Sequence, residues 1–166
     1  MNKNLIAITI GDIKGIGIEI LIALWKSNKI NNFILVCNKK IFINYLNKKK
    51  IKIKIKVINK NSNIKKLNKK DFIINNFKSK NIIENSYLSL FYAYDLCINN
   101  FCKGILTLPI NKNDILNKFN KKFIGQTEYF QSLNNKKISN MIFYSKDLIT
   151  TPLTTHIPIN KINNFL

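Results

Sequence analysis

The sequence predicts an α/β fold with a mixed, largely parallel sheet flanked by helices. Three observations predict it. Short apolar runs, each stopped by Gly, Pro or a polar cluster, recur along the 166 residues. Stretches with apolar residues at helical spacing fall between them. The polar residues able to do chemistry gather just after the runs, where open α/β sheets hold their ligands.

In chain order, "LIAITI" at 5–10 is a buried strand that ends in the glycine loop "GDIKGIG", followed by a helix near Ile18–Trp25. "FILVC" at 33–37 is a second buried strand. "IKIKIKV" at 51–57 has a period of two. It places Ile51, Ile53, Ile55 and Val57 on one face and lysines on the other, the pattern of an edge or half-exposed strand. Residues 59–81 are rich in Asn and Lys, lack periodicity, and read as a long connection. Leu88, Phe91, Tyr92 and Leu96 mark a helix from Asn85 to about Asn99. "GILTL" at 104–108 is a buried strand stopped by Pro109, with a helix over 112–119 behind it. "IGQTEYF" opens a helix running to about Leu133, and "NMIFYS" and "LITTPLTT" read as the last two strands.

Ile, Lys and Asn make up more than half of the chain, and Arg is absent. All three have AT-rich codons, so the skew is read as a nucleotide bias of the genome. It also accounts for the net charge of +20. Lysines near phosphates release counterions and favour nucleic acid, but specific readers lean on the bidentate fork of Arg. The lysines here are spread along the chain. Specific nucleic-acid binding is therefore not expected, only weak salt-sensitive adsorption. Cys37, Cys97 and Cys102 are odd in number and form no CxxC pair, which points to a reducing cytosol. The apolar run at the N-terminus is too short for a signal peptide. No stretch approaches the roughly 18 apolar residues of a membrane helix. A cytoplasmic protein without a membrane partner is expected.

Four loops follow strands. "GDIKGIG" has small residues where the backbone turns and amides could face an anion. It matches neither GxGxxG nor the Walker A pattern, and a plain strand-to-helix turn with Asp12 as a local cap reads equally well. "PINK" puts Lys112 at a helix start, where it could meet a phosphate or carboxylate; it is also one of 28 lysines. In "GQTE", Thr127 can cap the next helix or turn its hydroxyl to an anionic ligand. "TTHIP" holds the only histidine, His156, and tight transition-metal sites take three or four protein ligands.

Together these pieces resemble one family. "IAITIGDIKGIGIEI" is similar to its "GDPAGIGPEI" signature, "GILTLPINK" to "TAPINK", "FIGQTEYF" to "GHTEF", and "TTHIPI" to "TTHIPL". The family is 4-hydroxythreonine-4-phosphate dehydrogenase, the PdxA type, of vitamin B6 biosynthesis. Four motifs in order are far more specific than any one of them. The resemblance implies a fold like isocitrate and isopropylmalate dehydrogenases, with two α/β domains divided here near residue 80, and a homodimer that completes the active site. It implies NAD-dependent oxidation of 4-phosphohydroxy-L-threonine followed by loss of CO2. A divalent metal (zinc, magnesium or cobalt) held by three histidines would polarise the oxidised oxygen. Carried over, His156 matches a metal-binding histidine, and Gln126 and Thr127 match the His-Thr pair that contacts the small phosphorylated substrate. No residue of this chain takes an assigned catalytic role.

Two departures stand out. Gln126 replaces His: an amide can hold a substrate oxygen but cannot shuttle a proton near neutral pH. The chain also stops at Leu166, about half the family's usual length, and the other two metal histidines fall in the absent half. "GDIKGIG" further lacks the family's first Pro. The expected reading is the N-terminal half of such an enzyme, incomplete as an isolated chain and needing a separate C-terminal half. The alternative is a non-catalytic truncated remnant, or a small protein that binds without turnover.

Overall fold

The computed structural model describes residues 5–58, 71–134, 139–154 and 157–164. Its central feature is a five-stranded sheet of order β3-β4-β2-β1-β5, built from β1 (Ile6–Thr9), β2 (Phe33–Cys37), β3 (Ile55–Ile58), β4 (Phe72–Asn76) and β5 (Gly104–Leu106). Every pairing in it is parallel. The helices are α1 (Gly17–Lys26), α2 (Lys39–Lys48), α3 (Ile82–Ile98), α4 (Lys112–Lys118) and α5 (Gln126–Leu133).

Alternation along the strands builds two apolar layers. Ile8, Phe33, Leu35, Phe72 and Ile74 face the side covered by α1 and α2, which contribute Ile18, Leu21, Ile22, Phe42 and Leu46. Ala7, Ile34, Val36 and Ile73 face the side covered by Ala93 and Leu96 of α3. Helices thus lie on both faces, and the inner strands carry no polar face, as a buried parallel sheet requires. Leu90 of α3 joins Ile115 of α4 and Phe123 in a third cluster, against which Tyr129 and Phe130 of α5 pack.

The predicted edge strand is real, although it begins at Ile55. Ile51, Ile53 and Ile55 pack on the first layer while Lys52, Lys54 and Lys56 face solvent. Two elements depart from the sequence reading. β4 lies inside the stretch read as a long connection and is an inner strand between β3 and β2. α2 stands where no element is expected. Its cap, Asn38, accepts from the amides of Lys40 and Ile41, and Phe42 and Leu46 on one face are buried.

The predicted buried strand at 104–108 is also corrected. β5 ends at Leu106 and lies at the sheet's edge, with Leu106 exposed, because β1 alone pairs with it. Past its end, the Leu108 amide donates to the buried Thr9 hydroxyl, at 3.2 Å. No helix of the described residues is long and apolar enough to cross a membrane.

The chain divides into two compact units, residues 1–130 and 131–166. The second holds an antiparallel pair of two-residue strands, β6 (Phe143–Tyr144) and β7 (Ile149–Thr150), and a 3-10 helix at Ile159–Asn164. The last two predicted strands are therefore a short hairpin outside the main sheet. The Thr151 hydroxyl donates to the Met141 carbonyl across it, at 2.6 Å.

Candidate functional site

Three of the four predicted loops meet beyond the carboxyl ends of β1 and β5. The chain leaves β1 through Gly11, at φ 62°, where a Cβ would lie 2.5 Å from the Pro109 carbonyl oxygen. That closeness lets the Asp12 amide donate to the same carbonyl, at 2.7 Å. Asp12 Oδ1 then accepts from the Lys14 amide at 2.9 Å, and the Asp12 carbonyl from the Gly15 amide at 2.9 Å. Asp12 shapes the loop as an Asx-type turn. With the amides of Asp12, Lys14 and Gly15 committed in this way, they are not free for an anion. Gly17 sits where a Cβ would press to 2.9 Å from Pro109 Cδ. "GDIKGIG" and "PINK" are thus joined backbone to backbone.

Asn111 caps α4 by accepting from the Asp114 amide, at 3.1 Å, which places Lys112 as the first helical residue. Lys112 turns toward "GQTE": a Cβ on Gly125 would lie 3.4 Å from Lys112 Nζ and 2.6 Å from Glu128 Oε2. The bare backbone at 125 is what lets both charged groups close over this loop. The Gly125 carbonyl accepts from the Tyr129 amide, at 3.1 Å, so Gly125 is the N-cap of α5. Thr127, which the sequence offered as a cap or as a ligand-facing hydroxyl, is an exposed residue of the first turn and not the cap.

Gln126 is half-buried and begins α5. Its Nε2 donates to the Leu108 carbonyl, at 3.3 Å. A carbonyl can only accept, so this bond fixes which end of the amide is which. Oε1 is left buried, with no hydrogen-bond partner among the described residues. Oε1 is thus an unpaired acceptor closed to solvent in this arrangement: once uncovered it suits a hydroxyl or an ammonium, not a bare phosphate oxygen.

Beside these loops, Asp12, Ser86, Asn111 and Asp114 line a narrow crevice together with Ile82, Ile83 and Ile115. Ser86 Oγ is buried and has no partner among the described residues. The sequence reading missed Ser86 and Glu128. A serine inside an apolar helix stretch was a signal for the first, and nothing local marks the second.

A second, open groove of about 440 Å³ lies past β2 and β4, lined by Asn38, Lys39, Lys40, Asn76, Phe77 and Lys78. The amides that open α2 are taken there. Lys39 donates to Asn76 Oδ1, and Lys40 and Ile41 donate to Asn38 Oδ1. An anion in this groove would meet lysine and asparagine side chains, not the amides that open α2.

Tyr129 packs beside Tyr87 and Phe123; burial, and then Tyr87, push its hydroxyl above the usual tyrosine range. It stays protonated. Among the described residues, no three His, Cys, Asp or Glu side chains gather into a metal site. His156 lies outside the described residues, and its loop belongs to the second unit.

A parallel sheet wound with helices on both faces, with three loops crossing at the ends of β1 and β5, defines a doubly wound α/β domain whose crevice lies beyond the strand ends. A family model described as "Pyridoxal phosphate biosynthetic protein PdxA" matches residues 29–166, and the chain belongs to that family. It is 31% identical to a 4-hydroxythreonine-4-phosphate dehydrogenase of Aquifex aeolicus (strain VF5) over 174 residues, covering 100% of this chain and 53% of that protein. It is 26% identical to one from Wigglesworthia glossinidia brevipalpis, covering 98% and 52%. The solved structure of a 4-hydroxythreonine-4-phosphate dehydrogenase from Klebsiella pneumoniae shares the fold at TM-score 0.81 and 18% identity, over 99% of this chain and 54% of that one. One from Burkholderia phymatum does so at 0.78 and 18%, over 97% and 52%. The chain spans about half the length of the curated relatives it matches.

Proposed function

We propose that this chain supplies the N-terminal half of a 4-hydroxythreonine-4-phosphate dehydrogenase. The reaction is oxidation of the hydroxyl of 4-phosphohydroxy-L-threonine, with the hydride passing to NAD, followed by loss of CO2 toward pyridoxine 5′-phosphate. The convergence of "GDIKGIG", "PINK" and "GQTE" at the ends of β1 and β5 carries the reading. Gln126 and Thr127 contact the substrate: the amide through Oε1, to a hydroxyl or amine, and Thr127 through a hydroxyl exposed on the first turn of α5. Lys112 adds positive charge beside them for the phosphorylated end.

His156 is one ligand of the family's divalent metal (zinc, magnesium or cobalt). Three or four protein ligands are needed for a tight transition-metal site, and the described residues do not gather them. The missing ligands belong to the second half of the family's length. The same reading gives two α/β domains in the full-length enzyme, and assembly as a homodimer or with a separate second half. It also gives a reducing cytoplasm, consistent with three free cysteines, and no specific nucleic-acid or membrane partner. A second reading, binding without turnover, draws on Gln126, which cannot relay a proton.

The test is NADH formation from 4-phosphohydroxy-L-threonine by the 166-residue chain with zinc or magnesium. It is run alone and then with the C-terminal half of the Aquifex aeolicus relative. Activity on mixing alone is the expected result. Substrate binding without NADH in either arm would establish the second reading.

A further inference from the structure

The chain carries 28 lysines against 8 acidic residues, yet one of those acids lacks a counter-charge. Asp12 is half-buried, and its Oδ1 accepts from the Lys14 amide. The ion pairs among the described residues join Lys49 to Glu19, Lys56 to Asp71 and Lys118 to Asp114; none reaches Asp12. Asp12 also faces a second carboxylate. Asp114 and Asn111 line the same narrow crevice, whose volume of about 20 Å³ suits one group the size of a water. Lys118 meets Asp114 Oδ1 at 3.1 Å. Two carboxylates therefore share one lysine, and a negative charge is left over.

The third wall belongs to α3. Ser86 shares a flank of that helix with Ile82 and Ile83, and all three line the crevice, so the serine side chain is turned into it. Ser86 is only 5% exposed, and its Oγ has no partner among the described residues. Ser89, one turn on, shows the ordinary arrangement: its hydroxyl donates to the Ser86 carbonyl at 2.7 Å. A buried hydroxyl without a partner is costly. This one is closed to bulk water, where an ion that has shed its hydration shell needs an oxygen.

We propose that this crevice binds a single small monovalent cation (potassium, sodium or ammonium), held by the carboxylates of Asp12 and Asp114 and by Ser86 Oγ. Charge and ligand number select the class. Calcium takes about six to eight oxygens, and a tight transition-metal site takes about three or four protein ligands. Here there are two carboxylates, one of them already shared with Lys118, and a hydroxyl. A monovalent ion cancels the charge left over and gives the Ser86 oxygen its partner. Bound there, it ties the loop after β1 to α3 and α4. Neither a second half nor the reaction assigned above is needed for it.

The test is thermal unfolding of the full 166-residue chain in potassium, sodium, ammonium and tetramethylammonium chloride at equal ionic strength, with a magnesium arm. At least one of the three small ions should raise the melting temperature by about 2–4 °C over tetramethylammonium, which is too large for the crevice. The same ion should shift the amide signals of Asp12, Ser86 and Asp114 saturably in an NMR titration. Ser86→Ala should melt no lower than the parent chain in tetramethylammonium, because only an orphan hydroxyl is removed, and should lose the gain. Asp12→Asn keeps an acceptor for the Lys14 amide and should lose the gain as well. Equal melting temperatures in all four salts would assign the crevice to a water molecule and overturn the proposal. A gain that survives in either variant would be a general salt effect and would overturn it too, as would a larger gain from magnesium.

Discussion

At residue 11 the backbone takes a φ of 62°, and a side chain would collide with the Pro109 carbonyl. Gly11→Ala adds left-handed strain to that clash, and the loss expected is about 1–3 kcal/mol, read from urea denaturation. The site should loosen too, since the Asp12 amide bond to Pro109 depends on the same approach. At residue 126 the question is chemical. Gln126→His restores the residue of the "GHTEF" motif. In the mixed-halves assay it should raise the rate by roughly 10²- to 10⁴-fold if that position moves a proton in the reaction. An unchanged rate would assign position 126 to holding the substrate, which the free Oε1 already equips it to do.

At the scale of elements, Asn residues bear more than their small size suggests. Asn38 caps α2, donates through Nδ2 to the Ser79 carbonyl and hydroxyl at 3.3 and 3.1 Å, and through its amide to Asn85 Oδ1 at 2.7 Å. Asn38→Ala should cost about 1 kcal/mol for the cap alone, with more for the lost bonds to Ser79, measured as a lower denaturation midpoint. These roles also explain what the sequence hid. β1, β2, α1, α3 and α4 were legible because apolar runs or helical spacing stood clear of their flanks. "FIINN" was not, since Asn disfavours strands and an inner parallel strand shows no alternation. α2 was obscured by lysines and asparagines around Ile41, Phe42, Tyr45 and Leu46. For the candidate site, motif order pointed to the three loops and to Gln126, while Lys112 did not stand out from the other lysines. The bond from Gln126 to Leu108 exists only once remote segments meet, so no local pattern announces it; a serine within the apolar α3 stretch was visible, but not that its hydroxyl ends buried without a partner among the described residues.

For the whole molecule, ionisation sets an upper limit of pH. Burial pushes the Cys102 thiol up to about 12 from 9.0, with Cys97 nearby adding to it, and burial lifts Cys37 higher still. Both pKa values are raised in the folded state. Their contribution is therefore complete below the ordinary thiol value and is lost as pH climbs through the window between that value and the folded one, while the unfolded thiols ionise first. The urea midpoint should fall from about pH 9 upward, and Cys37→Ala with Cys102→Ala should flatten that decline. At neutral pH a thiol reagent should modify Cys97, which is partly exposed, well before the other two.

The bond from the Leu108 amide to the Thr9 hydroxyl joins positions 99 residues apart. Closing so long a loop costs about 4 kcal/mol of chain entropy, and contacts of this range form slowly. The chemistry-bearing corner should accordingly be the last part of the domain to assemble. In a pulse-labelling experiment during refolding, the amides of Asp12 and Leu108 should gain protection after those of β2 and α1. During synthesis the order is stricter. A ribosome must release the chain through β5 before β1 finds its second neighbour, and a nascent chain stalled earlier would carry β1 with one edge open for proteases and chaperones to meet.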